Sequence, residues 1–227
     1  MHCPRGGIPG QRAADDRLRC PEKNCSLCPR LASFRQKNRT LYPGKFNAPV
    51  PSFGSADPLL LVVGLAPGLK GANFSGRPFT GDYAGDLLYP TLKKFGFAKG
   101  TYGGNAGDGF TLVNARITNA VRCVPPENKP VGAEINACRP FLESELAGLA
   151  KLKTIVALGT IAHNSVLRTF GLPVGKYKFG HKKNYPLTSK ITLIDSYHCS
   201  RYNTSTRRLT TEMFEDVFAL AKEVCGG

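Results

Sequence analysis

The sequence predicts an α/β fold in which a parallel sheet lies between two layers of helices. Two segments are apolar along almost their whole length, residues 59–65 (LLLVVGL) and 154–159 (TIVALG), as expected of strands buried on both faces of a parallel sheet. Strand-like and helix-like patterns alternate along the chain. With 227 residues, the chain is long enough to form one such domain with a substantial core.

Four strands and five helices follow from these patterns. The strands are expected in residues 59–65, 110–121, 154–159 and 191–198. The helices are expected in residues 29–40, 82–95, 140–149, 160–171 and 210–224. Asp82 is the candidate N-cap of the second helix, and Pro90 is expected to kink that helix or to start a new turn. Pro140 is expected in the first turn of the third helix.

The ends of the chain bear on its organisation. Residues 1–19 mix Gly, Pro and charged residues without a period, and we interpret them as a loose tail before a single domain in residues 20–227. The first residues lack the apolar centre of a secretory signal, and no apolar run approaches the length of a membrane span. We therefore expect a cytoplasmic protein that does not enter membranes.

The chain carries a large excess of positive charge. Lys and Arg total 31 against 16 Asp and Glu, which gives a formal net charge of +15. A basic field of this size attracts polyanions, and nucleic acid is the first candidate. The alternative is a basic surface that serves only solubility. We favour nucleic acid as the partner.

Three loops follow the carboxyl ends of predicted strands, in residues 64–82, 118–126 and 198–207. Ligands of open α/β sheets bind at that edge, so we expect the three loops to share one site. The first loop, GLAPGLKGANFSGRPFTGD, is rich in Gly and Pro and has no acidic residue between positions 64 and 81. Such a loop is suited to hold a ligand that is largely neutral.

The eight cysteines favour a metal or cluster site over disulfides, because we expect a reducing compartment. Cys25 and Cys28 form a C-x-x-C pair, and Cys123 and Cys138 follow much later. Four such thiolates can hold either zinc or a [4Fe–4S] cluster, and the spacing does not separate the two. Cys20 could compete as a ligand. A thioredoxin-like redox role for the pair is a third interpretation, weakened because no strand precedes it.

Four motifs point to a known family: GLAPG, GRPFTGD, TNAVRCVPP and HCSRYN. In this order, and with the cysteine pattern, they resemble the uracil-DNA glycosylase superfamily, and most closely its family 5, the iron–sulfur or type B enzymes. The resemblance covers about residues 25–214. It implies a three-layer α/β/α fold with a central four-stranded parallel sheet, removal of uracil from DNA, and a [4Fe–4S] cluster. The implied cluster ligands are Cys25, Cys28, Cys123 and Cys138.

The resemblance also implies a base-binding pocket. Gly64 and Ala66 let the backbone approach the base closely, and Phe79 stacks on the base once it has left the helix. Asn119 offers both a donor and an acceptor to the edge of uracil. The alternatives are a core aromatic for Phe79 and a turn-forming residue for Asn119.

Two residues are implied to be catalytic. Cleavage of the N-glycosidic bond leaves negative charge on the departing base, and His198 can stabilise that charge through a hydrogen bond. Leu65 stands where several superfamily members carry a polar or acidic residue. The resemblance to family 5 therefore assigns the attacking water to Asn73, which can orient water but is a weak base. Helix capping is the simpler explanation of Asp82.

The last loop is expected to contact DNA. In the superfamily the corresponding loop enters the duplex and fills the gap left by the extruded base. Tyr202 is the candidate wedge, Arg201 a phosphate ligand, and Asn203 a further DNA contact. The basic loop of residues 176–183 (KYKFGHKK) would add sequence-independent phosphate contacts.

Three functions are compatible with these features. The first is a monomeric DNA repair glycosylase of a prokaryotic, nucleoid-associated kind, which excises uracil and, as family 5 suggests, other deaminated bases such as hypoxanthine or xanthine. The second is a non-catalytic nucleic-acid-binding module with a structural zinc. The third is an inactive or altered relative that uses the fold on another base, since Leu65 and Asn73 replace an acid. The first function requires the loop of residues 64–81, Asn119 and His198 to line one cavity.

Overall fold

The protein, described by a computed structural model over residues 20–226, is built around one large mixed sheet. Its strands are β1 (Phe53–Gly54), β2 (Leu60–Gly64), β3 (Ala98–Lys99), β4 (Thr111–Leu112), β5 (Ala115–Asn119), β6 (Thr154–Leu158), β7 (Asn184–Pro186) and β8 (Thr192–Ser196). The large sheet has the order β1-β5-β2-β6-β8-β7, and β3 pairs with β4 in a separate hairpin. The four inner strands are parallel. The predicted four-stranded parallel sheet is confirmed, and two short antiparallel strands extend its edges.

Helices cover both faces of this sheet. They are α1 (Pro29–Leu41), α2 (Ala72–Ser75), α3 (Tyr83–Lys94), α4 (Gly132–Gly148), α5 (Thr160–Thr169), α6 (Arg201–Ser205) and α7 (Thr211–Cys225). Successive residues of β2 point to opposite faces. Leu60 and Val62 pack in the core formed with α3 and α7. Leu61 and Val63 pack in the core formed with α4 and α5, so the three-layer α/β/α arrangement is confirmed.

Several predicted boundaries differ from the structure. The third helix begins at Gly132 rather than near Pro140, and Pro140 lies inside it. The Glu134 carboxylate stabilises this earlier start by accepting from the backbone N–H of Val131 at 2.9 Å. The strand expected in residues 110–121 is two strands, β4 and β5, separated at Asn114 by a positive φ of 50°. Pro90 also lies within a helix, α3.

Capping is confirmed at Asp82, whose side chain accepts from the backbone N–H of Gly85. The predicted tail, residues 1–19, lies outside the described residues. No helix in the described part of the chain is long and apolar enough to cross a membrane.

Candidate active site

Gly64 ends β2 where the first predicted loop begins, and two side chains press against it. A Cβ at Gly64 would stand 2.5 Å from the Phe79 ring and would also collide with the side-chain oxygen of Asn119. Asn119 ends the neighbouring strand β5 and is the register partner of Gly64. The missing side chain at Gly64 therefore lets Phe79 and Asn119 meet at the carboxyl edge of the sheet.

The Phe79 ring faces His198. Their ring centroids are 5.9 Å apart and their planes differ by 29°. His198 follows β8, and its Cβ lies 3.7 Å from where a Cβ at Gly159, just after β6, would stand. The structure thus brings four predicted residues together from three strand ends and one loop. We call Gly64, Phe79, Asn119 and His198 the base rim.

His198 is neutral at physiological pH. Burial lowers its pKa to about 4. Its Nδ1 atom is buried and has no hydrogen-bond partner among the described residues. A neutral imidazole keeps one N–H, so His198 can donate a hydrogen bond to a ligand without carrying charge into the site.

Two amide oxygens of predicted site residues are also buried without a partner in the described structure, Oδ1 of Asn119 and Oδ1 of Asn73. Asn73 lies in α2, and its Nδ2 donates to Oδ1 of Asn47 at 2.8 Å. The Asn73 amide is thus anchored to Asn47 rather than to the base rim. Leaving a buried acceptor unpaired costs about 1–3 kcal/mol, so these oxygens mark places that a ligand or water can complete.

The carboxylate of Asp82, the last residue of the first loop, lies against Gly71 in the middle of that loop. Oδ1 of Asp82 accepts from the N–H of Gly85 at 3.3 Å. Its other oxygen lies 2.5 Å from where a Cβ at Gly71 would stand, so Gly71 leaves room for the carboxylate. Burial raises the pKa of Asp82, and the charge of Asp82 adds to burial in raising the pKa of Cys199, the residue after His198. Asp82 therefore caps α3 and also faces the loop.

The predicted DNA-contacting residues lie on or beside α6. Tyr202 is 71% exposed, which leaves it free to enter a duplex. Asn203 faces inward: its Nδ2 donates to the backbone carbonyl of His198 at 2.8 Å. The guanidinium carbon of Arg201 lies 5.7 Å from the centroid of the Tyr83 ring. The four lysines of residues 176–183 are exposed.

The four predicted cluster ligands line one pocket, which we call the cysteine pocket. Cys25 and Cys28 come from the segment before α1 and its N-cap, Cys123 from the loop after β5, and Cys138 from α4. All four are free thiols, and Cys20 is not among the lining residues. Ala66 packs against this cluster of residues.

Two hydrogen-bond donors contact sulfur atoms of the cysteine pocket. Arg35 donates to the sulfur of Cys123 at 3.4 Å, and the backbone N–H of Arg122 donates to the sulfur of Cys138 at 3.4 Å. The Nε atoms of Arg35 and Arg122 are buried without a partner in residues 20–226. Burial raises the pKa of Cys123 to about 12, so its thiol stays protonated unless a cation takes the place of the proton.

No three His, Cys, Asp or Glu side chains in the described residues lie close enough together to hold a single metal ion. A tetrahedral zinc site needs four sulfurs at about 2.3 Å from one centre. A [4Fe–4S] cluster is larger than one ion, so its four thiolates stand further apart.

An ion pair behind the Phe79 loop was not predicted from the sequence. Arg77 and Asp108 form two hydrogen bonds of 2.8 Å each, and both side chains are buried. Asn47, the partner of Asn73, was missed as well. Neither Asp108 nor Asn47 lies in a motif or a periodic pattern, so the sequence carries no local signal for them.

Known proteins are similar to this chain over most of its length. Residues 51–222 match the model of the uracil DNA glycosylase superfamily. The type-5 uracil-DNA glycosylase of Thermus thermophilus is 42% identical over 89% of this chain and 94% of its own length. Enzymes of the same name from Mycobacterium leprae and Pyrobaculum aerophilum are 40% and 35% identical, each over 89% of this chain and over 92% and 90% of their own lengths. The chain belongs to the uracil-DNA glycosylase superfamily.

Proposed function

We propose that this protein removes uracil from DNA by hydrolysing the N-glycosidic bond, which leaves an abasic site. The observation that carries the proposal is the base rim, where an aromatic ring, an unpaired amide and a neutral imidazole meet in a member of this superfamily. A target base inside a duplex is out of reach, so the nucleotide must first leave the stack.

Recognition of uracil rests on Phe79 and Asn119. The Phe79 ring stacks on the extruded base, and such stacking is worth about 1–3 kcal/mol. The free Oδ1 of Asn119 accepts from the N3–H of uracil, and its amide nitrogen donates to a ring carbonyl. Cytosine has no proton on N3, so its edge leaves that oxygen unpaired, which disfavours cytosine.

His198 stabilises the departing base. Negative charge develops on the uracil ring as the bond to the sugar breaks. The neutral imidazole donates its N–H to a carbonyl oxygen of the base, and this hydrogen bond strengthens as the oxygen gains charge. Because the pKa of His198 is about 4, the ring stays a neutral donor over the physiological pH range.

The attacking water is held by the loop of residues 64–82. The unpaired Oδ1 of Asn73 accepts one water proton and orients the molecule. The Asp82 carboxylate, whose pKa burial raises, is the stronger base of the two. No acidic residue occurs between positions 64 and 81, so Asp82 is the residue that brings negative charge to this loop.

Four thiolates of the cysteine pocket hold a [4Fe–4S] cluster in this proposal. The cluster supplies a structural tether, since it links the segment of Cys25 and Cys28 to the loop that follows Asn119. Arg35, which donates to the sulfur of Cys123 at 3.4 Å, is suited to stabilise an anionic group of this kind. The alternative function, a colourless zinc-containing module without base release, stays a prediction that the experiments below can exclude.

Other predictions extend the proposal. Hypoxanthine and xanthine are further candidate substrates. We expect a monomer that acts in the cytoplasm on chromosomal DNA, with Tyr202 as the wedge and the exposed lysines of residues 176–183 on phosphates.

The direct test is a duplex that contains one uracil, followed by alkali to break abasic sites. We expect strand breaks with the wild-type protein and a rate about 10²–10³-fold lower with His198→Ala. Asn73→Ala should also lower the rate, and the double variant should be less than additive if both residues serve one transition state. If the wild-type protein produced no more strand breaks than the double variant, the proposed glycosylase activity would be rejected. A set of duplexes with hypoxanthine, xanthine or a thymine mispair then defines the substrate range.

A further inference from the structure

Phe79 has a backbone conformation that its own side chain disfavours. Its φ is +52°, in the left-handed region that bulky residues rarely adopt. The carbonyl of Phe79 also lies against Gly85, where any Cβ would clash with it. The position of the ring that faces His198 must therefore be imposed by the groups around the loop.

Two tyrosine hydroxyls hold the loop. Tyr89 donates to the carbonyl of Pro78 at 2.5 Å. The hydroxyl of Tyr102 donates to the carbonyl of Phe79 at 3.3 Å and accepts from the N–H of Gly81 at 3.2 Å. These bonds fix the peptides on both sides of Phe79.

The Arg77 guanidinium also holds this loop in place. Its Nε donates to the Thr80 hydroxyl at 2.7 Å, and its two terminal nitrogens bond Asp108. The side chains of Arg77 and Asp108 are only 5% and 4% exposed. Three aromatic rings lie about the guanidinium, with centroids at 5.1, 5.2 and 5.6 Å: Phe53, Tyr89 and Tyr102.

Asp108 connects Arg77 to the segment that carries Tyr102. It accepts from the backbone N–H groups of Gly103 at 2.8 Å and Phe110 at 2.9 Å, besides the two bonds from Arg77. Arg77 holds the pKa of Asp108 well below its usual range. One carboxylate thus orders both Arg77, which bonds Thr80 from within the loop, and the segment of Tyr102, whose hydroxyl bonds Phe79 and Gly81 from outside the loop.

We infer that Asp108 is a positioning residue for base recognition, which acts through Arg77 and Tyr102 to fix the Phe79 ring where the extruded base stacks. Asp108 touches neither the base nor the water. This inference rests on the proposed function, because it assumes that Phe79 receives a base.

The test compares the affinities for two duplexes. One contains a 2′-fluorinated deoxyuridine, which resists hydrolysis, and the other a tetrahydrofuran abasic analogue, which has no base. The ratio of the two affinities isolates the contribution of the base. We expect Phe79→Leu and Asp108→Asn each to lower this ratio about tenfold. If Asp108 acts through Phe79, Asp108→Asn causes no further loss in the Phe79→Leu background.

Two further variants separate a positioning role of Asp108 from a general loss of stability. Tyr102→Phe removes one hydroxyl and leaves the ion pair intact, so it remains informative if Asp108→Asn folds poorly; we expect about a threefold lower ratio. Leu167→Ala, in the core on the other face of the sheet, should lower the melting temperature and leave the ratio unchanged. Additive losses from Asp108→Asn and Phe79→Leu, or an unchanged ratio in both Asp108→Asn and Tyr102→Phe, overturn the inference. A wild-type protein that releases no uracil rejects the proposed function instead.

Discussion

The base rim and the cysteine pocket both contain buried polar atoms without a partner among residues 20–226, but the atoms differ: the base rim and its loop combine amide oxygens with Nδ1 of His198, whereas the cysteine pocket has guanidinium nitrogens. At the base rim and in the adjoining loop they include the amide oxygens of Asn119 and Asn73, which are acceptors. At the cysteine pocket they are the Nε groups of Arg35 and Arg122, which are donors. Free acceptors suit a ligand that offers N–H or O–H groups, and free donors suit an anion.

This difference indicates what each site takes. Uracil and water offer protons to the amide oxygens. A cluster with four thiolates accepts hydrogen bonds from the arginines. Charge follows the same division: His198 is neutral at the base rim, whereas the cationic Arg35 bonds the sulfur of Cys123 at the cysteine pocket. One site therefore handles a nearly neutral ligand, and the other a negatively charged one.

The largest effect is expected at the cysteine pocket. Cys138→Ala should abolish the visible absorption and the bound iron of protein purified without oxygen. It should lower the melting temperature by roughly 10 °C or more, since binding free energy at such a site is also folding free energy. Cys225→Ala is the matched control, because Cys225 is equally buried but bonds Thr154 and Leu59 outside the pocket. Stoichiometric zinc in a colourless wild-type protein would contradict the cluster.

A smaller effect is expected for Asp82→Asn. Asparagine is as good an N-cap as aspartate, so the stability should change little, whereas the carboxylate at the loop is lost. We expect the single-turnover rate to fall about 100-fold, in line with general-base catalysis. Thr210→Ala, which removes the N-cap of α7, should reduce stability by about 1 kcal/mol and leave the rate unchanged. An unchanged rate for Asp82→Asn would leave capping as the whole role of Asp82.

The parts of the fold and site that the sequence predicted are those with a local signal. Two inner strands, β2 and β6, are almost continuous apolar runs, and the predicted loops follow strand ends directly, so Gly64, Asn119 and His198 could be placed at one edge. Edge strands of two or three residues such as β1 and β7 have no detectable pattern. The start of α4 was placed too late because Pro140 resembles a first-turn proline, although the helix accommodates it eight residues inside.

The parts that were missed depend on contacts between distant residues. Arg77 meets Asp108 across 31 positions, and Asn47 meets Asn73 across 26. Asp82 was predicted correctly as a cap, but only the fold shows its second oxygen against Gly71. Similarly, the motif of His198 gave no indication that Asn203 bonds its backbone rather than facing outward. Such pairs leave no trace in periodicity or composition.

The pH dependence tests the neutral imidazole of the base rim. An unfolded histidine has a pKa near 6.5, whereas burial lowers the pKa of folded His198 to about 4. The single-turnover rate should therefore show no loss attributable to His198 between pH 8 and pH 5. Below pH 6.5 the unfolded chain binds a proton that folded His198 does not, so this group lowers the free energy of unfolding as the pH falls from 6.5 toward 4. His198→Asn should remove that part of the acid sensitivity. A rate that titrates near pH 6.5 only when His198 is present would refute the neutral form.

The smallest effect is expected from a single phosphate contact outside both sites. Arg201→Gln should weaken the binding of uracil-containing and undamaged DNA by the same factor, a few-fold at moderate salt. It should lower the slope of log K against log salt by about 0.9, the value for one phosphate contact. Lys151→Gln is the control, because Lys151 pairs with Asp57 near the start of β6, at the opposite edge of the sheet. If the slope is unchanged while base-dependent affinity falls, Arg201 acts through the Tyr83 ring that it covers. The basic surface would then contact DNA through the lysines of residues 176–183 instead.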